Sequence, residues 1–129
     1  MNILLIDDDE VTNYINKRIF SVVYPDSNIV IAGNGAEALT VIEDNISNAA
    51  PIFDLILVDI SMPDMDGWEF IDAVSDNKYV QQHKGHFFML TSSVFDDDII
   101  KAQSKPIIKK FFSKPLDIQK IKEMVELHV

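Results

Sequence analysis

The strongest constraint on the fold is an alternation of two hydrophobic patterns along the chain. Five short apolar runs each precede a segment in which apolar residues recur every three or four positions. Runs of the first kind favour buried parallel strands, and segments of the second kind favour amphipathic helices. The predicted strands are residues 2–6, 28–32, 55–59, 86–90 and a fifth around 110–112.

Five helices are predicted between and after these strands. The first begins at Glu10, with Asp9 as its N-cap, and the last is capped by Asp117. Asp64 and Asp66 are both candidate caps of the third helix, and the fourth is short. The apolar residues predicted to face the core are Val11, Tyr14, Ile15, Ile19 and Val22 (first helix), Ala36, Ala38, Leu39, Ile42 and Ile46 (second), Trp68, Phe70, Ile71 and Val74 (third), Ile99, Ile100 and Ala102 (fourth), and Ile118, Ile121, Val125 and Leu127 (last).

Strands that alternate with helices predict an α/β fold, a doubly wound parallel sheet with helices on both faces. From the length of 129 residues we expect one domain, 1–129, without an output domain. Right-handed crossovers would bring the carboxyl ends of all five strands to one edge of the sheet.

Composition narrows the possible functions. The chain has no cysteine, which excludes disulfides, thiolate zinc sites and a thiol nucleophile. Its net charge of -10 argues against nucleic-acid binding, which needs a basic surface. Fifteen of the 21 acidic residues lie in residues 1–76, where Lys17 and Arg18 are the only bases. We expect a cytoplasmic protein, because we find no membrane-spanning run and no signal peptide.

Polar residues follow four of the five predicted strands. Asp7 and Asp8 follow the first, Asp59 ends the third, Thr91 follows the fourth, and Lys114 follows the fifth. A strand order of 2-1-3-4-5 would bring the three carboxylates together. An all-oxygen cluster suits Mg²⁺, while a lysine and a hydroxyl suit a phosphoryl group. These residues predict phosphoryl transfer, with Asp59 as the nucleophile.

The motifs resemble those of the receiver domain of two-component response regulators, in its stand-alone form. The matching segments, which span most of the chain, are Ile6-Asp7-Asp8, Leu57-Val58-Asp59-Ile60-Ser61-Met62-Pro63 with Asp66-Gly67, Leu90-Thr91-Ser92 and Lys114-Pro115. The resemblance implies a flavodoxin-like fold with the strand order 2-1-3-4-5. It also implies a signalling switch rather than an enzyme, with output through protein–protein contacts.

The resemblance implies a role for each site residue. Asp59 would accept a phosphoryl group from a sensor histidine kinase or a histidine phosphotransfer protein. Asp8, Asp59 and the backbone carbonyl of Ser61 would bind Mg²⁺ or Mn²⁺ directly, and Asp7 would hold a metal-bound water. Thr91 and Lys114 would bind the phosphoryl oxygens. Thr91 and Phe111 would change position on phosphorylation.

The resemblance implies two further points, the control of the lifetime of the phosphorylated state and the surface used for output. Ser61, Ser92 and Ser93 occupy positions that would tune dephosphorylation. A downstream protein would dock on the face formed by the fourth predicted helix, the fifth strand and the last helix. This region holds seven of the 11 basic residues, and Lys109 and Lys110 are the first candidates for contact.

Three alternatives stay open. Asp7-x-Asp9-x-Val11 is similar to the nucleophile motif of haloacid-dehalogenase phosphatases, although the chain has no cap insertion and no acidic loop after Lys114. A flavodoxin-like FMN carrier would need a hydroxyl- and glycine-rich loop after the first strand. The third alternative is a pseudo-receiver, which would act as an interaction module without phosphorylation.

Overall fold

The computed structural model describes residues 1–50, 53–77, 86–92, 100–101 and 104–128. The helices and strands formed by these residues are, in chain order, β1 (Asn2–Ile6), α1 (Glu10–Val23), β2 (Asn28–Ala32), α2 (Gly35–Ser47), β3 (Leu55–Asp59), α3 (Gly67–Ser75), β4 (His86–Thr91), β5 (Ile108–Ser113) and α4 (Ile118–His128). Every helix in these ranges is too short or too polar to cross a lipid bilayer.

The five strands form one parallel sheet in the order β2-β1-β3-β4-β5. This order confirms the predicted α/β fold with β1 next to β3. All strands run in one direction, so their last residues share one side of the sheet, which we call the carboxyl edge. Ligands of open α/β sheets bind at this edge.

The core consists of two hydrophobic clusters that use alternate residues of the same strands. Leu4, Ile56 and Phe87 belong to the cluster that contains the inner faces of α2 and α3. Leu5 and Leu57 belong to the other, which contains residues of α1 and α4. Successive strand residues point to opposite faces, so the sheet is covered by helices on both sides, as predicted.

The prediction of which face of α1 packs in the core is wrong. Val11, Tyr14 and Val22 are about two-thirds exposed, and Ile15 is 48% exposed, while Ile19 is only partly buried. The buried residues of α1 are Asn13, Asn16 and Phe20. At 100° per residue these three lie on the opposite side of the helix from Val11, Ile15 and Val22. The first turns of α1 lie beside the polar carboxyl edge, so its inner face there is polar rather than apolar.

The other helices follow their sequence patterns more closely. Trp68, Phe70, Ile71 and Val74 of α3 are all buried. Asp66, not Asp64, is the N-cap of α3, and it forms a capping box with Glu69. In α2, Ala38 and Ile42 are buried while Leu39 and Ile46 are partly buried, but Ala36 is exposed.

The last helix, α4, agrees with its prediction in part. Asp117 accepts a hydrogen bond from the backbone N–H of Lys120 at 2.8 Å, as expected of its cap. Ile121 is buried, whereas Ile118 is half exposed and Met124 is an additional core residue. The predicted fourth helix lies mostly outside the described residues. Of its predicted core residues only Ile100 is described, and its exposure of 63% shows that this prediction is wrong.

Candidate functional site

The predicted site residues meet at the carboxyl edge. Asp7 directly follows β1, Asp59 ends β3, Thr91 ends β4 and Lys114 directly follows β5. The side chains of Asp7, Asp59 and Thr91 are buried, with residue exposures of 3%, 5% and 4%. Buried polar groups are costly unless other polar groups or ions compensate them, so this arrangement indicates a binding site.

Three carboxylates form a group that could hold a metal ion. One oxygen each from Asp7, Asp8 and Asp59 lies within 4.8 Å of the others. Asp8 is exposed, so the group opens to solvent on the side of this residue. All-oxygen donor sets suit hard cations such as Mg²⁺, which keeps several waters and takes one or two carboxylates.

Lys114 bridges two of these carboxylates. Its Nζ lies 2.6 Å from Asp7 Oδ2 and 3.1 Å from Asp59 Oδ1. Burial alone would lower the pKa of Lys114, but the hydrogen bond to Asp7 and the charges of Asp59 and Asp7 outweigh it and raise the pKa. With Lys114 charged and all three carboxylates ionised, the site has a net charge of minus two. A divalent cation would balance that charge.

Asp7 is held on both sides of its carboxylate. The backbone N–H of Asp9 donates to Asp7 Oδ1 at 2.9 Å, while Lys114 donates to Oδ2. The backbone N–H of Asp7 donates to the carbonyl of Ala32 on β2 at 3.1 Å. This carboxylate therefore has a fixed orientation before any ligand binds.

Asp59 has the most perturbed carboxyl group. Desolvation by burial and the charge of Asp7 raise its pKa from 3.8 to about 6, although Lys114 and a hydrogen bond from the Ser61 backbone oppose the rise. Like charges at close range make each carboxylate harder to ionise. A cation bound here would favour the ionised form of Asp59, which is the nucleophilic form.

The loop after β3 is held close to the end of that strand. The backbone N–H of Gly67 donates to the carbonyl of Ile60 at 2.9 Å, and Ile60 N–H donates to Leu90 at 3.1 Å. A Cβ at Gly67 would lie 2.5 Å from the backbone oxygen of Asp59. Only glycine permits this approach, which brings the N-terminus of α3 against the phosphoacceptor candidate.

The predicted switch residues lie on two neighbouring strands, Thr91 on β4 and Phe111 on β5. Thr91 is buried, and its backbone carbonyl accepts a hydrogen bond from the N–H of Lys114 at 2.6 Å. Phe111 lies opposite Met89 in the pairing of β4 with β5, and its partly buried ring packs against the core on the α2–α3 side. Ser61 and Ser92 are exposed, and Ser93 lies outside the described residues.

Asp9 does not join the carboxylate cluster. Its Oδ1 accepts hydrogen bonds from the backbone N–H groups of Val11 and Thr12, as an N-cap does. These bonds lower its pKa. The second aspartate of a haloacid-dehalogenase motif would have to reach the reacting groups, so this capping role disfavours that alternative.

Two residues that contact the site were missed by sequence reasoning. Asn13 Nδ2 donates to the backbone carbonyl of Asp7 at 2.8 Å. Lys120 Nζ donates to the backbone carbonyls of Ser113 and Pro115 at 2.8 and 2.9 Å, on either side of Lys114. The spacing of Asn13, Asn16 and Phe20 on one helix face was an available signal for the first, but it conflicted with the apolar stripe.

The family model of the response regulator receiver domain matches residues 3–126. The chain belongs to this family. Receiver domains of two-component phosphorelays act as phosphoacceptor switches and bind Mg²⁺ at an acidic cluster. Asp7, Asp8 and Asp59 form such a cluster here.

Solved structures of the family superpose closely on this receiver domain. A two-component response regulator from Cytophaga hutchinsonii is 27% identical, with a TM-score of 0.88 and coverage of 98% of this chain and 95% of that one. A two-component response regulator from Legionella pneumophila is 27% identical, with a TM-score of 0.84 and coverage of 99% and 97%. Both structural similarities extend over almost the full length of the compared chains.

Curated relatives include much longer proteins. Hybrid signal transduction histidine kinase L of Dictyostelium discoideum is 27% identical over 125 residues, which cover 96% of this chain but 7% of that protein. The receiver domain described here thus spans a small fraction of the length of the curated relatives it matches.

Proposed function

We propose that this receiver domain accepts a phosphoryl group on Asp59 from the phosphohistidine of a histidine kinase or a histidine phosphotransfer protein. The observation that carries the proposal is the bridge from Lys114 to both Asp7 and Asp59 at the carboxyl edge. Phosphoryl transfer needs a nucleophile beside positive charge that neutralises the transferring group. Residues 1–129 supply both groups, so we propose that they work as one receiver unit.

In the proposed reaction an ionised oxygen of Asp59 attacks the phosphorus atom of the donor. The new O–P bond forms as the P–N bond breaks, and the electron pair of that bond stays with the leaving imidazole nitrogen. Lys114 neutralises charge on the phosphoryl oxygens. Later attack by water would return Asp59 to its carboxylate and release inorganic phosphate. The protein itself would supply the groups for both steps.

Asp8, Asp59 and the backbone carbonyl of Ser61 would hold Mg²⁺, or Mn²⁺ in its place, and Asp7 would hold a water bound to it. The net charge of the site and its all-oxygen donors fit such a cation. When bound, the cation would draw charge from the phosphoryl oxygens and favour ionised Asp59.

Thr91 and Phe111 would transmit the effect of phosphorylation from Asp59 to the surface of the protein. The Thr91 hydroxyl would turn toward a phosphoryl oxygen, and the partly buried Phe111 ring would occupy the space released beside β5. Ser61 and Ser92, which are exposed and closely follow Asp59 and Thr91 in the chain, and Ser93 would set how easily water reaches the phosphoryl group. The charge of the phosphoryl group would thereby shift the equilibrium between two conformations of Thr91 and Phe111.

The proposed output is docking of a downstream protein on the face that contains β5 and α4. Lys109 and Lys110 are exposed on the edge strand β5, and Lys110 forms an ion pair with Glu123 of α4. We expect Lys109→Glu to weaken capture of a partner that prefers one phosphorylation state. Lys17→Glu on the exposed side of α1, outside this face, is the matched control. If the amount of partner captured changes neither with phosphorylation nor with Lys109→Glu, the proposed docking face is wrong.

The deciding experiment is phosphorylation by a small acyl phosphate with Mg²⁺, followed by intact-protein mass spectrometry. We expect the wild type to gain the mass of one phosphoryl group, and Asp59→Asn to gain none. Labelling of Asp59→Asn would instead favour attack by Asp7, as in the phosphatase alternative. A wild type that gains no mass with any acyl or phosphoramidate donor would favour the pseudo-receiver alternative.

A further inference from the structure

Asn13 is a buried polar residue on the inner face of α1 that the proposed reaction does not use. Its residue exposure is 5%, and it shares this face with Asn16 and Phe20. Burying an amide side chain costs free energy unless its hydrogen-bonding groups are satisfied. A buried amide side chain between a helix and a sheet therefore suggests that its hydrogen bonds have a specific structural or functional role.

The amide of Asn13 is only half satisfied. Its Nδ2 donates to the backbone carbonyl of Asp7 at 2.8 Å, while its Oδ1 is buried without a hydrogen-bond partner among the described residues. Turning the amide over would place Oδ1 against the Asp7 carbonyl, so this contact fixes the orientation of the side chain. An apolar residue here would remove the cost of the unpaired oxygen, yet it would also leave the Asp7 carbonyl without this donor.

We propose that Asn13 is a positioning residue that holds the peptide between Asp7 and Asp8, and through it the geometry of the cation site. This inference rests on the proposed function. The carbonyl of Asp7 and the N–H of Asp8 belong to one rigid plane, so holding the carbonyl limits rotation of both residues. Asp7 has further anchors, but Asp8 is exposed and depends on this peptide for its direction.

The test uses Asn13→Leu, which keeps the size of the side chain and removes both the donor and the unpaired oxygen. We expect stability close to that of the wild type, because removal of the unpaired oxygen offsets loss of the donor to the Asp7 carbonyl. Mg²⁺ affinity should be lowered by about tenfold to a hundredfold, as for other groups that orient metal ligands. Titration calorimetry with Mg²⁺ alone measures the affinity, and thermal unfolding without Mg²⁺ measures the stability. The rate of phosphorylation by an acyl phosphate should fall with the affinity.

Asn16→Leu is the matched control. Asn16 is the same residue type on the same helix face, with the same 5% exposure, and it makes none of the described hydrogen bonds to Asp7. We expect this variant to bind Mg²⁺ as the wild type does. If Asn13→Leu overpacks the interface and fails to fold, Asn13→Ala replaces it, with Asn16→Ala as its control.

Two outcomes would overturn the role of Asn13 alone. The first is Mg²⁺ affinity of Asn13→Leu equal to that of the wild type. The second is an affinity loss that Phe20→Leu, a core variant of the same helix, reproduces at equal loss of stability, because Asn13 would then act only through folding. Loss of affinity at preserved stability supports the proposal. A wild type that binds no Mg²⁺ would overturn the proposed function and this inference together.

Discussion

Lys114 Nζ lies 2.6 Å from Asp7 Oδ2, although 107 residues separate the two along the chain. The ammonium group also forms an ion pair with Asp59, so one positive charge partly neutralises the negative charges of two buried carboxylates. The same contacts have opposite consequences for two ligands. Lys114 repels a cation that approaches the cluster, and it attracts the phosphoryl group that Asp59 would receive.

We therefore predict that Lys114→Met separates cation binding from phosphorylation. Mg²⁺ affinity should rise about tenfold, because a positive charge close to the carboxylates is removed. Phosphorylation of Asp59 by an acyl phosphate should slow by about a hundredfold or more, because charge on the phosphoryl oxygens is no longer neutralised. Calorimetry and time-resolved mass spectrometry measure the two effects.

Lys122→Met is the control for this experiment, since Lys122 is exposed on α4. Both affinity and rate should stay at their wild-type values in this variant. If Lys114→Met instead weakens Mg²⁺ binding, Lys114 organises the carboxylates more than it repels the cation, and the electrostatic argument fails.

Ionised Asp59 should lower the stability of the protein in the absence of a cation. Its pKa is raised from 3.8 to about 6 on folding, so the folded state holds a proton that the unfolded state has lost. The contribution of Asp59 to stability is therefore present below about pH 4 and is lost as the pH rises through about 6. Asp59→Asn should raise the free energy of unfolding by about 2 kcal/mol at neutral pH without Mg²⁺.

The pH profile provides the check on that prediction. In chemical denaturation with a metal chelator present, the difference between Asp59→Asn and the wild type should shrink toward zero at about pH 4. Added Mg²⁺ should stabilise the wild type more than the variant, because binding to the folded state adds to its stability. A difference that does not change with pH would refute the link to ionisation.

Gly67→Ala should disrupt the loop that follows Asp59. The added Cβ would lie 2.5 Å from the Asp59 backbone oxygen and 2.9 Å from Ile60 Cα, so the backbone must move. We expect a loss of about 2 to 3 kcal/mol in the free energy of unfolding, as for other overpacked sites. Mg²⁺ affinity should fall as well, since the moved backbone leads directly to Ser61.

Gly35→Ala is a close control, because Gly35 and Gly67 are both the first residue of a helix. The atoms nearest to a Cβ at Gly35 belong to the side chain of Met65, and the two closest, Cγ and Sδ, can rotate away. We expect a smaller loss of stability and normal Mg²⁺ binding. Equal losses in the two variants would mean that the close approach at Asp59 has no special importance.

The orientation of α1 is testable through stability alone. Phe20→Ala should lower the free energy of unfolding by about 3 to 5 kcal/mol, because Phe20 is fully buried. Tyr14→Ser and Val22→Ser should each change it by less than about 0.5 kcal/mol, because both side chains are mainly exposed. If Val22→Ser were as damaging as Phe20→Ala, α1 would have the face that its apolar stripe predicts.

Much of the fold and the chemistry could be predicted from local patterns. The bounds of β1, β2 and β3 match their apolar runs, because a buried strand needs a short continuous stretch of β-forming residues. Asp7, Asp59, Thr91 and Lys114 were assigned to one edge, because parallel strands must end on the same side of a sheet. Their mutual distances and the pKa of Asp59 required the structure, since both depend on atoms far apart in the sequence.

The sequence by itself determined that this chain is an α/β receiver domain with three aspartates, a threonine and a lysine at strand ends. Only the tertiary structure decided which side of α1 is inside. Periodicity identifies an apolar stripe but does not say what the helix packs against. The first turns of α1 lie against the polar edge of the sheet, where Asn13 bonds to Asp7, and this contact turns Val11, Tyr14 and Ile15 outward.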